Sequence, residues 1–256
     1  MKIIRFTHQN NEVQYGWIYK EKVGLLSSSP FGAYRRLDAV TPLEEVKLLA
    51  PVEPTKIIAI GRNYPEHVKE HEVEIPDLPL IFLKPPSSVI HSGQDIILPP
   101  QSQQVEHEAE LAVVISRRGR WIALEDVNDY ILGYTVANDV TARDLQRRDE
   151  QWTRAKGFDT FCPVGPWIET ELDPADLLVT CRLNGEIRQM SSTREMVFSI
   201  PQLMVYISSV MTLEPGDLIL TGTPAGVGEL ADGDEVAIEI EGIGKLVNKV
   251  RMADKP

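Results

Sequence analysis

Two carboxylates, Glu108 and Glu110, enter a strongly apolar stretch running from Val105 to Ile115, and a third, Asp139, closes another that runs from Tyr130 to Asn138. Acids that begin or end strand-like runs sit where a sheet interior opens to its mouth. There a carboxylate must be solvated, paired or bound to a cation. On a strand, residues two apart face the same side, so Glu106, Glu108 and Glu110 share a face. That face continues as Ala112 and Val114, which directs it inward, whereas an ordinary solvent-facing stripe would stay polar. Oxygen ligands with no cysteine nearby suit a hard cation, Mg²⁺ or Mn²⁺, rather than structural zinc. Magnesium held by few protein groups keeps several waters, and these leave positions for a chelating substrate.

A second group lies on Pro65-Glu66-His67-Val68-Lys69-Glu70-His71. His67 and Glu70 are three apart and meet on one helical face. A carboxylate beside an imidazole orients it and raises its basicity, as a water-activating base requires; the ordinary alternative is an exposed charged helix. The same string fits His-x-x-Glu-His, the inverted zinc-protease motif, with His67 and His71 as ligands and Glu70 as base. A short helix that opens on proline and runs into loop is poor support for a catalytic zinc, so the protease reading is set aside.

Two further groups suit an anionic substrate. Lys156 lies in Arg154-Ala155-Lys156-Gly157-Phe158-Asp159, either as an electrophilic ammonium or as a surface lysine. The run Leu220-Thr221-Gly222-Thr223-Pro224-Ala225-Gly226-Val227-Gly228 leaves a strand and can turn backbone N–H groups toward a carboxylate. No Gly-Lys-Ser/Thr follows, so it is not a phosphate loop.

These groups need a scaffold. Residues 1 to 50 alternate as strands do and are read as a small β-rich N-terminal domain, with Pro51-Val52-Glu53-Pro54 as the boundary to a catalytic domain over 51–256. Strands are expected at 56–61 and 80–83, and near 89–98, 108–116, 131–138, 164–168, 177–183, 217–221, 234–240 and 245–250. A short helix follows residue 61, capped by Asn63 with Pro65 in its first turn. Others are expected near 141–151 and 199–212. Strands outnumber helices without regular βα alternation, so an α+β fold with a β-rich core is expected.

Composition narrows the function classes. In 256 residues, 43% are hydrophobic and 25% charged, values of an ordinary globular protein. A net charge of −12, with no concentrated Lys/Arg stripe, argues against nucleic acid. No apolar stretch reaches the roughly 20 residues of a membrane span, and no signal-peptide core opens the chain. Cys162 and Cys181 form no disulfide framework and are read as buried, reduced thiols of a cytoplasmic protein.

Several motifs occur together in order: Gly61-Arg62-Asn63-Tyr64 with His67 and Glu70, Phe82-Leu83-Lys84-Pro85, His107-Glu108-Ala109-Glu110-Leu111, Asn138-Asp139-Val140-Thr141-Ala142-Arg143-Asp144-Leu145-Gln146, Ala155-Lys156-Gly157-Phe158-Asp159, and Leu220-Thr221-Gly222-Thr223-Pro224. From about residue 57 to 250 the chain resembles the fumarylacetoacetate hydrolase family. The resemblance implies a mixed β-roll catalytic domain, a homodimer, and a divalent metal held by Glu108, Glu110 and Asp139. It implies His67 and Glu70 as the water-activating dyad on a lid-like segment, and Lys156 as the stabiliser of developing negative charge. Arg143, Gln146 and Thr223 become substrate contacts, and Glu106 takes a place read as neutral.

The implied substrate is a small 2-oxo acid. Hydrolytic C–C cleavage of an acylpyruvate through an enolate is the first expectation. Oxaloacetate decarboxylation or tautomerisation, or isomerisation of a 2-hydroxyhepta-2,4-diene-1,7-dioate, are the alternatives on the same site. A cation- or organic-acid-binding module without turnover is the non-enzymatic rival.

Overall fold

The computed structural model describes residues 1–8 and 12–254. It is an α+β protein built mainly of strands, with few and short helices. The largest sheet places strands in the order Arg36–Pro42, Lys22–Leu26, Val13–Tyr19, Lys2–Thr7, Cys162–Glu169, Ile131–Asn138, Ala109–Ile115, Leu218–Leu220, Ile57–Gly61 and Leu80–Lys84. The N-terminal strands extend this sheet directly, since Lys2 pairs with Glu169 and Ile3 with Ile168. A five-stranded sheet (Glu186–Ser192, Leu178–Leu183, Glu235–Ile240, Gly244–Met252, Asp95–Leu98) covers one face. No helix among the described residues is long and apolar enough to cross a membrane.

Ala109–Ile115 is buried at every residue because it lies between two cores. Leu111, Val113 and Ile115 pack into one, with Val136, Leu203 and Ile238. Ala112 and Val114 pack into the other, with Ile57, Val164 and Leu218. The period of two is therefore present, but it sorts side chains between two apolar environments instead of between core and water. Glu110 belongs to the face that continues as Ala112 and Val114, so its carboxylate points inward at the strand's mouth.

The sequence expectations differ from the structure in informative places. The strand expected near 108–116 is present as Ala109–Ile115, but the run before it forms a separate strand, Val105–His107, and Glu108 lies at the break between the two. The helix expected near 141–151 is present but shorter, as Arg143–Arg148 after a two-residue strand Thr141–Ala142, and a further short helix, Thr153–Lys156, follows it. Asn63 is not a helix cap: Tyr64 holds the N-cap position of helix Pro65–Glu70 without a side-chain bond. The Asn63 amide instead donates to Thr221 O (2.8 Å) and Phe198 O (3.1 Å), and accepts from Phe198 N (2.8 Å). Capping preference is a local propensity. It gave way to a buried position where one amide serves three backbone groups from two other segments.

Candidate active site

Backbone pairing brings the three acids together. Glu110 lies opposite Ala137 in the antiparallel ladder, and the Asp139 N–H continues that ladder by donating to Glu108 O at 2.9 Å. The Glu108 N–H donates to Asn138 Oδ1 (2.9 Å), which secures the break in the strand. From the antiparallel neighbour Leu218–Leu220, the loop beyond Leu220 delivers Gly222, whose N–H donates to Glu110 Oε2 at 2.6 Å. Gly222 has φ +98°, and a Cβ there would lie 2.7 Å from Asn63 Cβ, so this close approach requires glycine. One oxygen each from Glu108, Glu110 and Asp139 lie within 4.8 Å of one another, with the residues 4%, 1% and 1% exposed.

Three buried cations surround them. Lys156, at the end of helix Thr153–Lys156, donates from Nζ to Asp139 Oδ2 (2.6 Å) and Glu108 Oε2 (2.9 Å). Arg143 grips Glu106 through Nε (2.7 Å) and Glu108 through Nη2 (2.5 Å). Lys84 ends the strand Leu80–Lys84, donates to Lys156 O (2.6 Å), and lies 2.6 Å from Asp139 Oδ1. That last pair has poor hydrogen-bond geometry, so Asp139 Oδ1 is a buried acceptor without a hydrogen-bond donor.

The titration pattern follows from this crowding. Burial raises the Glu108 pKa, but the Lys156 and Arg143 charges outweigh it and hold the carboxyl well below its usual range. Burial, then the Asp139 and Glu108 charges, push Glu110 well above. Four carboxylates (Glu106, Glu108, Glu110, Asp139) face three cations (Lys84, Lys156, Arg143), so with every acid ionised the cluster carries one unbalanced negative charge. A hard dication fits this donor set. With every acid ionised, it would change the cluster's net charge from one negative to one positive, which suits an anionic substrate.

These groups open onto a cavity of ≈ 240 Å³ whose lining includes Glu108, Glu110, Asp139, Lys156, Arg143, Gln146, Thr223 and His67. Gln146 accepts from Arg143 Nη1 (2.5 Å). Thr223 donates its hydroxyl proton to Ala109 O (2.9 Å) and accepts from Gln189 Nε2 (2.7 Å), so it meets the cavity with that proton already committed. His67 Nδ1 faces Glu70 Oε2 at 3.4 Å, and both Glu70 oxygens accept from Gly226 N–H (3.1 and 3.2 Å). That contact tethers the helix to the loop leaving Leu218–Leu220. Glu70 is not among the residues that line the cavity; its contact with the site is the one to His67.

Sequence reasoning missed three contributors. Lys84 ends an apolar strand as the acids do, a signal that applies equally to a lysine. Glu106, read as neutral, is buried and paired to Arg143. Gln189 is wholly buried; its Oε1 accepts from Ala109 N (3.0 Å) and lies 3.0 Å from His107 Nδ1, while its Nε2 holds Thr223 and Pro224 O. Asn184-Gly185, with φ of 52° and 84°, is the hairpin signal that would have placed the strand carrying it.

Residues 56–251 match the family model of the fumarylacetoacetate (FAA) hydrolase C-terminal domain. The chain belongs to this family. Residues 1–51 match a second model, Rv2993c-like, N-terminal. Within the family, the chain is 47% identical over 224 residues to the mitochondrial oxaloacetate tautomerase FAHD2A of Bos taurus, covering 82% of this chain and 71% of that protein. The crystal structure of 2-hydroxyhepta-2,4-diene-1,7-dioate isomerase from Mycobacterium marinum superposes with a TM-score of 0.92 at 43% identity, covering 100% of both chains. Maleylpyruvate hydrolase from Sphingobium sp. SYK-6, solved with manganese(II) and pyruvate, gives 0.81 at 31% identity, covering 99% of this chain and 100% of that one. The fold and an enzyme family are thus established, with relatives of isomerase, tautomerase and hydrolase type.

Proposed function

We propose that this chain is a divalent-cation-dependent enzyme that interconverts the enol and keto forms of a small dicarboxylic 2-oxo acid of the oxaloacetate type. The observation that carries the proposal is one small cavity holding both the Glu108–Glu110–Asp139 cluster and His67, with Glu70 behind it. A dication held by the three acids, Mg²⁺ or Mn²⁺, would supply Lewis acidity to the carboxylate and 2-oxo oxygens of the substrate. Glu70 takes the Nδ1 side of His67, which leaves Nε2 for the substrate. His67 removes the proton at C3 as the C–H bond breaks, and the same proton is returned to the 2-oxo oxygen to give the enol. Glu70 steadies the imidazolium between these transfers. Lys156 keeps positive charge beside the oxygen on which negative charge develops.

The likeness to the tautomerase and the isomerase supports proton transfer without water. C–C hydrolysis of an acylpyruvate is the second reading, favoured by the likeness to maleylpyruvate hydrolase; there His67 would take a proton from water instead of from C3. Assays of oxaloacetate tautomerisation and of acetylpyruvate cleavage, each with Mg²⁺, Mn²⁺ or chelator, separate the two. The expected result is dication-dependent tautomerisation that falls about 10²–10⁴-fold in His67→Ala. Faster acetylpyruvate cleavage would transfer the assignment to the hydrolase, and turnover of neither would leave a binding module. A homodimer in the cytoplasm belongs to the same proposal, and sedimentation of the purified protein tests the dimer.

Arg62 favours the dicarboxylic substrate. It lines the cavity with φ +61°, and among the described residues no side chain pairs with it. With a dication bound, the cluster suits one carboxylate, and Arg62 adds charge for a second. A charge-assisted hydrogen bond is worth about 1.5–3 kcal/mol, so Arg62→Gln should cost about 10- to 100-fold in kcat/KM for oxaloacetate. Turnover of a monocarboxylic substrate should stay within a small factor. Equal losses on both would remove Arg62 from substrate selection.

A further inference from the structure

We infer that His67, Glu70 and His71 form a second, inhibitory metal site selective for a zinc-type cation, distinct from the three-carboxylate cluster. The motif set aside as a protease signature thereby acquires a use.

Ligand atoms from the three residues lie within 4.8 Å of one another. His67 and His71 are i and i+4 on and just after helix Pro65–Glu70, with ring centroids 4.5 Å apart in an edge-on arrangement. The Nε2 of His71 is buried and has no hydrogen-bond partner. The third donor, Glu70, is anchored through Gly226 N–H, so its carboxylate is held in place from outside the helix.

The chemistry of this set differs from that of the carboxylate cluster. Two imidazoles and one carboxylate suit zinc and its neighbours, whereas three carboxylates suit magnesium or manganese. The buried His71 Nε2 has no hydrogen-bond partner to give up, so that nitrogen is available to a metal. Three protein ligands leave the fourth tetrahedral position to water, but Glu70 is consumed as a ligand, so no base remains to make this a peptidase. The consequence falls on His67: once coordinated, it cannot move a proton, and turnover stops.

Binding at this site stands independently of the proposed reaction; the inhibition rests on His67 being the base. The protein, saturated with Mg²⁺, is titrated with Zn²⁺ by calorimetry, and separately with Co²⁺ while the visible absorption is followed. One additional equivalent of Zn²⁺ is expected beyond Mg²⁺ saturation, with Co²⁺ giving the intense bands of a four-coordinate nitrogen–oxygen site. His71→Gln should lose that equivalent and those bands. In the assay, Zn²⁺ should inhibit the Mg²⁺-saturated wild type. Measured relative to its own Mg²⁺-supported turnover, His71→Gln should require at least about tenfold more Zn²⁺ for half-inhibition than the wild type. The inference is overturned if His71→Gln binds Zn²⁺ as the wild type does, or if excess Mg²⁺ relieves the inhibition, because zinc would then be acting at the carboxylates. If no substrate turns over, the binding titrations still decide whether the site exists.

Discussion

Asp139→Asn is expected to lower kcat/KM by about 10³-fold, because the proposed dication supplies several kcal/mol of charge stabilisation and each factor of ten corresponds to about 1.4 kcal/mol. The substitution keeps the shape of the side chain and the backbone bond from Asp139 N to Glu108 O, so the strand junction persists. What it removes is the charge beside Lys84 and Lys156 and the oxygen that has no hydrogen-bond donor. Chelator should bring the wild type down by a similar factor and add little to the variant's loss. Glu106→Gln is the control: Glu106 is buried in the same region but pairs with Arg143 outside the cluster of three, so its effect should be much smaller. Equal defects in both variants would mean that the acids act as a general buried charge network and that no ion distinguishes Asp139. Thermal melting of each variant separates loss of the site from loss of the fold.

Lys156→Met is expected to cost about 10²–10³ in kcat, the usual effect of removing one well-placed donor to a developing oxyanion. The structure adds an effect on stability. Lys156 bridges Glu108 and Asp139, and burial alone would lower its pKa, but the two carboxylates raise it above the ordinary lysine value. Removing the ammonium leaves two buried carboxylates short of a partner, a defect of about 3–5 kcal/mol for a broken buried pair. A dication should restore much of this, so Mg²⁺ should raise the melting temperature of the variant more than that of the wild type. Wild-type turnover by Lys156→Met would refute its role in the chemistry. An unchanged melting temperature without metal would refute its role as a bridge.

The cluster was legible in the sequence because acids that end apolar runs have few places to go. Glu108, Glu110 and Asp139 each sit at such an end, and the ladder between their strands makes them neighbours. Asn63 shows the opposite case. A local helix signal was present, but three backbone partners more than a hundred residues away decided its position. The strand Glu186–Ser192 escaped because its polarity is inverted: Gln189 is buried while Ile187 and Met190 are 48% and 61% exposed. Hydrophobic alternation cannot find a strand whose buried side chain is an amide serving a neighbouring loop. The break at Glu108 was hidden for a related reason. The apolar run continues through it, and only the tertiary bond to Asn138 marks it.

The decisive measurement is the binding of Mn²⁺ to the purified protein, followed by electron paramagnetic resonance with and without oxalate, a stable mimic of a 2-oxo acid's chelating end. One Mn²⁺ per chain should bind, oxalate should tighten it, and Glu110→Gln should weaken it at least about tenfold. A protein that takes up no Mn²⁺, or a Glu110→Gln variant that binds it and oxalate as the wild type does, would contradict a dication held among these three acids.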